Sequence, residues 1–428
     1  MRTSRRATAW IRTGLWFAVS CVVGCGGDGF SVASGEGDAG VDASGGAAGN
    51  AGTGGDAGTG GAAGTGGTAG TGGTAGTGGT AGTGGTAGSG GSVPACDSDH
   101  ADCNGRADDG CETDLQNDVN HCGSCGHDCK GGDCAQGKCQ PINVASGQNK
   151  PHGIAVDSNM IYWTTEGDGD AHGALWASAK AGGSLVTIAN FLPGPRGVAV
   201  GVDKGLYVAV QGEQGDPGAI LLFLYKNSQY DQQVFAENQD GARYVAAGTH
   251  GMFWTRSSGD VVYKAIDANN SVVIPVASGQ EDPMGITVDT NAQGPVSGIV
   301  GVPYWAAADG VYRGWATEPL VSGNNGRFVA VSQQYLVYTS QDSVHRADKT
   351  TGDNPKVLSG TSGGAGIAIS KGQVYWCDGS YVRRVPITGG SVEDIATGQH
   401  NAWGIAVDDD FVYWTNNVQG GAVRKVAR

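Results

Sequence analysis

The residues best suited to chemistry in this chain recur at intervals, each directly before a repeated phrase of the type Gly-Ile-Ala-Val. Three of them are arginines and one is a histidine, in a chain whose formal net charge is −15. Arginine presents a planar fork of donors that fits a carboxylate or a phosphate, and tryptophan offers an apolar wall. These residue types predict a site for an anionic group. The candidate ligand-binding residues are His152, Arg196, Arg243, Arg327 and Trp403, and the same position holds Met284 and Ala365 in the remaining two repeats.

Nearby carboxylates give a second explanation for the arginines. The segments between the second and third apolar runs of the repeats are rich in acid, and we expect them to lie on the same face as the arginines. Each arginine would then pair with a loop carboxylate instead of a ligand. The sequence leaves both alternatives open. The acidic residues concerned are Glu166, Asp168, Asp170, Glu213, Asp216, Asp309, Asp342 and Asp378.

A sequence repeat must position these residues. Seven copies occur between residues 151 and 428, at a spacing of roughly 40 residues that is typical of propeller blades. Each copy contains four short apolar runs separated by turn residues, which predicts a four-stranded antiparallel meander. The first two runs are apolar at nearly every position, as in strands buried on both faces. We therefore predict an all-β fold with a seven-bladed β-propeller over residues 141–428, in which the candidate residues face the mouth of the central channel.

One large residue recurs in the second run of most copies, and we interpret it as the packing residue between blades. It is Trp163, Trp254, Trp305, Trp376 and Trp414, with Val208 and Tyr338 in the other two copies.

The sequence also predicts how the propeller closes. The last copy ends after its third run, so it lacks a fourth strand of its own. The phrase Val-Ala-Ser-Gly-Gln at 144–148 matches the phrase at 276–280 and the related one at 395–399. Residues 141–148 are thus predicted to complete the last blade and to remove two exposed sheet edges.

The repeat phrases resemble those of two propeller families. Gly404-Ile-Ala-Val-Asp408 and Val412-Tyr-Trp-Thr415 are similar to the YWTD and NHL repeats, over about 280 residues. The count of seven and the Pro-x-Gly openings look more like the streptogramin-lyase propellers. That resemblance implies a lyase with His and Glu at the channel mouth and a divalent ion, for which His152 is the nearest match. A lactonase-type propeller would need channel acids to hold Ca²⁺, and the channel positions lack them. We assign no catalytic residue.

The N-terminus predicts export and anchoring. Four arginines precede the apolar run 15–24, which is too short to span a bilayer and is typical of a signal peptide at residues 1–24. Its end, Val22-Val-Gly-Cys25, resembles a bacterial lipobox, which implies that Cys25 becomes lipidated. Gly26 in the next position implies an outer-membrane location, on the periplasmic or the cell-surface face. Residues 25–93 are Gly/Ala/Thr-rich and predict a disordered tether.

A cysteine-rich module is predicted at residues 94–140. Its even number of cysteines in an exported segment indicates four disulfides of unknown connectivity, and its phrases resemble modules of secreted myxobacterial proteins and plant Stig1 domains. Zn²⁺ binding by Cys122, Cys125 and Cys129 with the nearby His121 and His127 is an alternative. A Ca²⁺ loop formed by Asn104, Asp108, Asp109 and Glu112 is the alternative to a solvated acidic turn, and we assign no cofactor. The eight cysteines are Cys96, Cys103, Cys111, Cys122, Cys125, Cys129, Cys134 and Cys139.

Together these features predict a membrane-anchored extracytoplasmic lipoprotein that presents a binding module. The expected partners are the membrane, through the lipid, and a protein, a glycan or an anionic small molecule. The acidic charge argues against nucleic acid as a partner. A lyase or lactonase-type enzyme and a passive structural lipoprotein remain as alternatives.

Overall fold

The computed structural model describes residues 96–428 except for 107, 168–172, 214–215, 267–270, 295–298, 324 and 361–362. The predicted signal peptide, the lipidated Cys25 and the tether lie outside the described residues. Strands and turns make up the described part, and within it no helix is long and apolar enough to cross a membrane.

The cysteine-rich segment is held by four disulfides, as its even cysteine count indicates. Two short hairpins accompany them, β1 (His100–Ala101) with β2 (Thr113–Asp114) and β3 (Cys134–Ala135) with β4 (Lys138–Cys139). The pairing, which the sequence could not give, is Cys96–Cys111, Cys103–Cys125, Cys122–Cys134 and Cys129–Cys139.

Seven four-stranded antiparallel sheets follow, in agreement with the predicted seven-bladed propeller. Strand β5 (Ile142–Gln148) comes before blade 1 in the chain and is the fourth strand of blade 7. Blades 1 to 3 contain β6 (Pro151–Val156), β7 (Met160–Thr165), β8 (Gly173–Ala179) and β9 (Val186–Leu192); β10 (Pro195–Val200), β11 (Leu206–Val210), β12 (Ala219–Lys226) and β13 (Gln229–Ala236); and β14 (Ala242–Ala247), β15 (Gly251–Arg256), β16 (Val261–Ala265) and β17 (Ile274–Ala277).

Blades 4 to 6 repeat the same meander. They contain β18 (Ile286–Gln293), β19 (Val300–Ala307), β20 (Gly310–Arg313) and β21 (Val321–Ser322); β22 (Phe328–Val331), β23 (Tyr335–Thr339), β24 (Val344–Asp348) and β25 (Lys356–Ser359); and β26 (Ile367–Ser370), β27 (Gln373–Cys377), β28 (Val382–Pro386) and β29 (Glu393–Ala396).

Blade 7 joins the two ends of the propeller. Its strands are β30 (Ala402–Val407), β31 (Phe411–Asn416), β32 (Gly421–Ala427) and β5. In the β32–β5 register Val423 lies opposite Ala145, and Arg424 lies opposite Asn143. The predicted closure by an N-terminal strand is confirmed.

Tryptophans fill the space between blades, as predicted. The five of the second strands are fully buried. Trp163 donates its indole N–H to Gln148 at 3.0 Å, so blade 1 is latched to the closing strand of blade 7. Trp254, Trp305 and Trp414 bond in the same way to a glutamine of the preceding blade. These bonds explain why four of the repeats combine Trp with a Gln at or just beyond the end of a fourth strand.

Threonines after the tryptophans fix the inner strands. Thr164 accepts the N–H of Gly153 at 3.0 Å and donates to the carbonyl of Arg196 in the next blade at 2.6 Å. Thr415 does the same between Gly404 and the carbonyl of His152. The backbones of the mouth residues are therefore held from the blade before them.

Candidate ligand site at the channel mouth

Four aromatic rings close the central channel. His152, Tyr244, Phe328 and Trp403 come from blades 1, 3, 5 and 7, and adjacent rings have centroids 5.0 to 5.8 Å apart. Such spacings are those of favourable tilted and edge-to-face contacts. The rings form a plug across the channel.

A cavity of about 200 Å³ lies against the plug. His152, Tyr244 and Trp403 line both this cavity and the channel space of about 160 Å³, so these rings form the wall between the two. The 200 Å³ cavity, called here the mouth cavity, is lined by His152, Arg196, Gln211, Arg243, Tyr244, Met284 and Trp403.

Arg196 is committed to a loop carboxylate. Its Nη1 pairs with Glu166, and its Nε donates to Gln211 Oε1 at 3.0 Å. Both partners of the ion pair are largely shielded from water. This contact is of the kind that the paired-arginine alternative describes.

Arg243 is paired more loosely. Its Nη1 contacts Asp282, whose side chain is 56% exposed, and lies 3.4 Å from the sulfur of Met284. An ion pair with so exposed a partner contributes about 0–1 kcal/mol. The guanidinium is thus available to a competing anion.

Arg327 lies apart from the other candidates. It does not line the mouth cavity, and its aliphatic stem lies beside Gly364. Within the described part of the chain it forms no ion pair. The residues at this repeat position therefore divide: His152, Arg196, Arg243 and Trp403 share one cavity, and Arg327 does not.

His152 is a buried, neutral imidazole. Only 3% of it is exposed, and burial, helped by the charge of Arg196, lowers its pKa from 6.5 to about 3. Its Nε2 lies 3.6 Å from the Glu166 carboxylate and 3.4 Å from the Tyr244 hydroxyl. Its Nδ1 is buried without a hydrogen bond of normal geometry.

Two further polar atoms meet His152 at the base of the cavity. Burial raises the pKa of the Tyr244 phenol, an effect partly opposed by the neighbouring Trp403 and arginines, so the hydroxyl keeps its proton. Nε1 of Trp403 is buried, and its one partner, the Tyr244 hydroxyl, lies outside normal hydrogen-bond geometry. A buried polar atom with no partner costs about 1–3 kcal/mol, and a poorly formed hydrogen bond leaves part of that cost uncompensated, which a ligand oxygen would recover.

Sequence reasoning missed Gln211, Tyr244 and Asp282 at the mouth. Gln211 follows the second strand of blade 2. Tyr244 stands where most repeats have glycine, and that replacement is the sequence signal that could have identified it. Of the other predicted acids, Asp378 pairs with Arg383, and Asp309 accepts from Tyr312 at 2.6 Å. Asp168 and Asp170 lie outside the described residues.

The alternative metal sites fall in the cysteine-rich segment. Cys103 and Cys125 lie near His121 but are bonded to each other, so they do not present thiolates. Oxygens of Asp102, Asp109 and Glu112 gather within 4.8 Å of one another. The Asn104 side chain donates to Asp109 and accepts from the backbone N–H of Arg106.

Comparison with known proteins extends only to the fold. No protein-family model matches the chain, and no curated protein matches it in sequence. A chain in a crystal structure of the mitotic checkpoint complex aligns with a TM-score of 0.52 at 11% identity, over 68% of this chain and 93% of that one. The extracellular domain of a one component system from B. thetaiotaomicron aligns with a TM-score of 0.50 at 12% identity, over 67% of this chain and 40% of that one. The likeness shows a β-propeller.

Proposed function

We propose that this protein is an extracytoplasmic binding module whose mouth cavity takes an anionic sugar unit, such as a uronic acid residue of a glycan. The observation that carries the proposal is the convergence of Arg243, His152 and Trp403 on one cavity, where buried polar atoms of His152 and Trp403 have only poorly formed hydrogen bonds. The Arg243 guanidinium suits the carboxylate of such a ligand, the polar atoms at the bottom of the cavity suit its hydroxyl groups, and the Trp403 indole suits the apolar face of its ring.

The size of the cavity limits the ligand. At about 30 Å³ for each water molecule, 200 Å³ holds six or seven waters, roughly the volume of one sugar ring. A longer glycan would place one residue in the cavity and the others on the surrounding loops.

The electrostatics select Arg243 as the main contact. The ligand carboxylate would replace Asp282, which is exposed and regains its hydration when released. Arg196 keeps Glu166 and offers its remaining N–H groups. Arg243 gives up the carboxylate of Asp282 when it binds the carboxylate of the ligand, so this exchange alone contributes little. The affinity for the ligand therefore depends on its additional contacts to His152 and Trp403.

Titration of D-glucuronate by calorimetry tests this. Arg243→Gln should weaken binding by about tenfold or more, since a charge-assisted hydrogen bond contributes about 1.5–3 kcal/mol. Asp282→Asn should strengthen binding because it removes the internal competitor. Arg256→Gln is the matched control, since Arg256 pairs with Asp260 elsewhere in blade 3. Equal affinities for wild type, Arg243→Gln and Asp282→Asn would refute the proposed site.

The same proposal includes anchoring to the outer membrane by a lipid on Cys25. Its support is the lipobox-like phrase before Cys25 and the Gly-rich segment that follows. Two acyl signals give stable membrane attachment. Cells fed a labelled fatty acid should label the wild type in the outer-membrane fraction, and Cys25→Ala should be released unlabelled. An unlabelled wild type would remove the anchor from the proposal.

A further inference from the structure

Blades 6 and 7 carry an arginine at the same place in their third strand. Arg383 lies opposite Trp376, and Arg424 lies opposite Trp414, each on the strand next to its tryptophan. The two arginines differ in what surrounds them, and the difference indicates a second site.

In blade 6 the arginine is neutralised twice. Arg383 pairs with Asp378, which follows the second strand, and its Nε donates to Asp394 of the fourth strand at 2.7 Å. Two carboxylates thus enclose one guanidinium, and they leave its charge fully compensated within the blade.

In blade 7 both carboxylates are replaced by amides. The position of Asp378 is taken by Asn416, and the position of Asp394, opposite the arginine in the register, is taken by Asn143 of the closing strand. Among the residues that the structure describes, no carboxylate lies within ion-pair distance of Arg424. Its charge is left without a counter-ion.

The hydrogen bonds of Arg424 are also incomplete. Nη1 has only a 3.4 Å contact to Gln399 Oε1, which already accepts from Trp414 at 2.9 Å and from Asn416 at 3.3 Å. Nε of Arg424 and Oδ1 of Asn416 are buried with no partner. Buried polar atoms are nearly always paired, so this site lacks a component.

Space for that component is present. Arg424 lines a polar cleft of about 310 Å³ between the closing strand, the end of blade 6 and the disulfide-bonded segment. Lys138 of that segment also lines the cleft and donates to the backbone oxygen of Asp394 at 3.3 Å. The one carboxylate in the cleft wall, Asp394, is already held by Arg383.

We infer that this cleft, called here the seam cleft, binds an oxyanion group through Arg424 and Lys138. The ligand is a sulfate, phosphate or carboxylate group, which accepts hydrogen bonds from the guanidinium of Arg424. It supplies the negative charge that two aspartates supply to Arg383 in blade 6. It would bridge the disulfide-bonded segment and the propeller, and it is independent of the mouth cavity.

The chain itself supplies the sharpest variant. Asn143→Asp installs the carboxylate of blade 6 beside Arg424 and should fold at least as stably as the wild type. We expect it to weaken binding of inorganic sulfate and phosphate by about ten- to a hundredfold, because the new carboxylate occupies the guanidinium. Arg424→Gln should weaken binding to a similar extent.

Calorimetric titration with inorganic sulfate, inorganic phosphate and D-glucuronate reads the outcome, with Arg243→Gln as the control that leaves the seam cleft intact. If the inorganic anions bind best, the ligand of the seam cleft is a free oxyanion. If Arg243→Gln binds glucuronate with the same affinity as the inorganic anions, the ligand is a sugar carboxylate. Both results support the site if Asn143→Asp weakens the binding by the expected factor of about ten to a hundred. Wild-type affinity in a folded Asn143→Asp, or no binding of any probe to the wild type, would overturn the inference. Because the mouth site fails through Arg243→Gln and the seam cleft through Asn143→Asp, the two failures are distinguishable.

Discussion

The buried histidine at the mouth makes the stability of the propeller depend on pH. His152 has a pKa of about 3 in the folded protein, against 6.5 ordinarily, because burial disfavours the imidazolium. Between these values the unfolded chain binds a proton that the folded chain does not. The lowered pKa therefore costs nothing above pH 7, and folding stability falls by about 1.4 kcal/mol for each pH unit below 6.5.

Replacing His152 with Phe removes this term and keeps a ring against Tyr244 and Trp403. Relative to pH 7, the wild type should lose about 2 kcal/mol by pH 5 and about 3 kcal/mol by pH 4 that the variant does not lose. Urea unfolding of both proteins at pH 7, 5 and 4 measures the difference, and His400→Gln, at an exposed histidine, should follow the wild type. If the free energies of unfolding of wild type and His152→Phe change in parallel with pH, His152 is not a buried neutral group and the description of the mouth is wrong.

Three other predictions concern the propeller itself. A chain that starts at residue 149 should melt far below one that starts at residue 141, because only the longer chain retains β5. A loss of about 1 kcal/mol in stability already lowers the thermal melting midpoint by about 2–4 °C, and equal midpoints of the two chains would exclude the closure. Gln239→Leu leaves the Trp254 N–H unpaired and should cost about 1–3 kcal/mol in urea unfolding, whereas Gln233→Leu on the exposed edge should cost little. Gly153→Ala places a Cβ against the Arg196 carbonyl and should destabilise the propeller by about 1–3 kcal/mol. Gly360→Ala, which has open space around the new Cβ, should leave stability unchanged. Equal melting temperatures of the two variants would contradict the close approach of the inner strands.

The fold could be predicted because its determinants are local and repeated. Each blade repeats the same apolar runs, and the end of β5 repeats the phrase that ends blades 3 and 6, so both blade number and closure follow from comparing the chain with itself. The disulfide pairing could not be predicted, because eight cysteines allow 105 connectivities and no repeat distinguishes them.

The site was only partly predictable. The residue before each repeat phrase faces one end of the channel, which places His152, Arg196, Arg243 and Trp403 together. Their ionic partners depend on loop conformation. Asp282 precedes a first strand, so it lies outside the loops between second and third strands in which the sequence places the carboxylate partners. That Arg424 lacks a counter-ion follows only from the strand register, in which Asn143 takes the position opposite Arg424 that Asp394 takes opposite Arg383 in blade 6.

A crystal structure of the protein soaked with D-glucuronate tests the proposed function most directly. The account predicts one sugar ring against Trp403, with its carboxylate on Arg243 and the Asp282 side chain turned away to solvent. An empty mouth cavity, with Arg243 still on Asp282 at a glucuronate concentration that saturates the calorimetric titration, would contradict it.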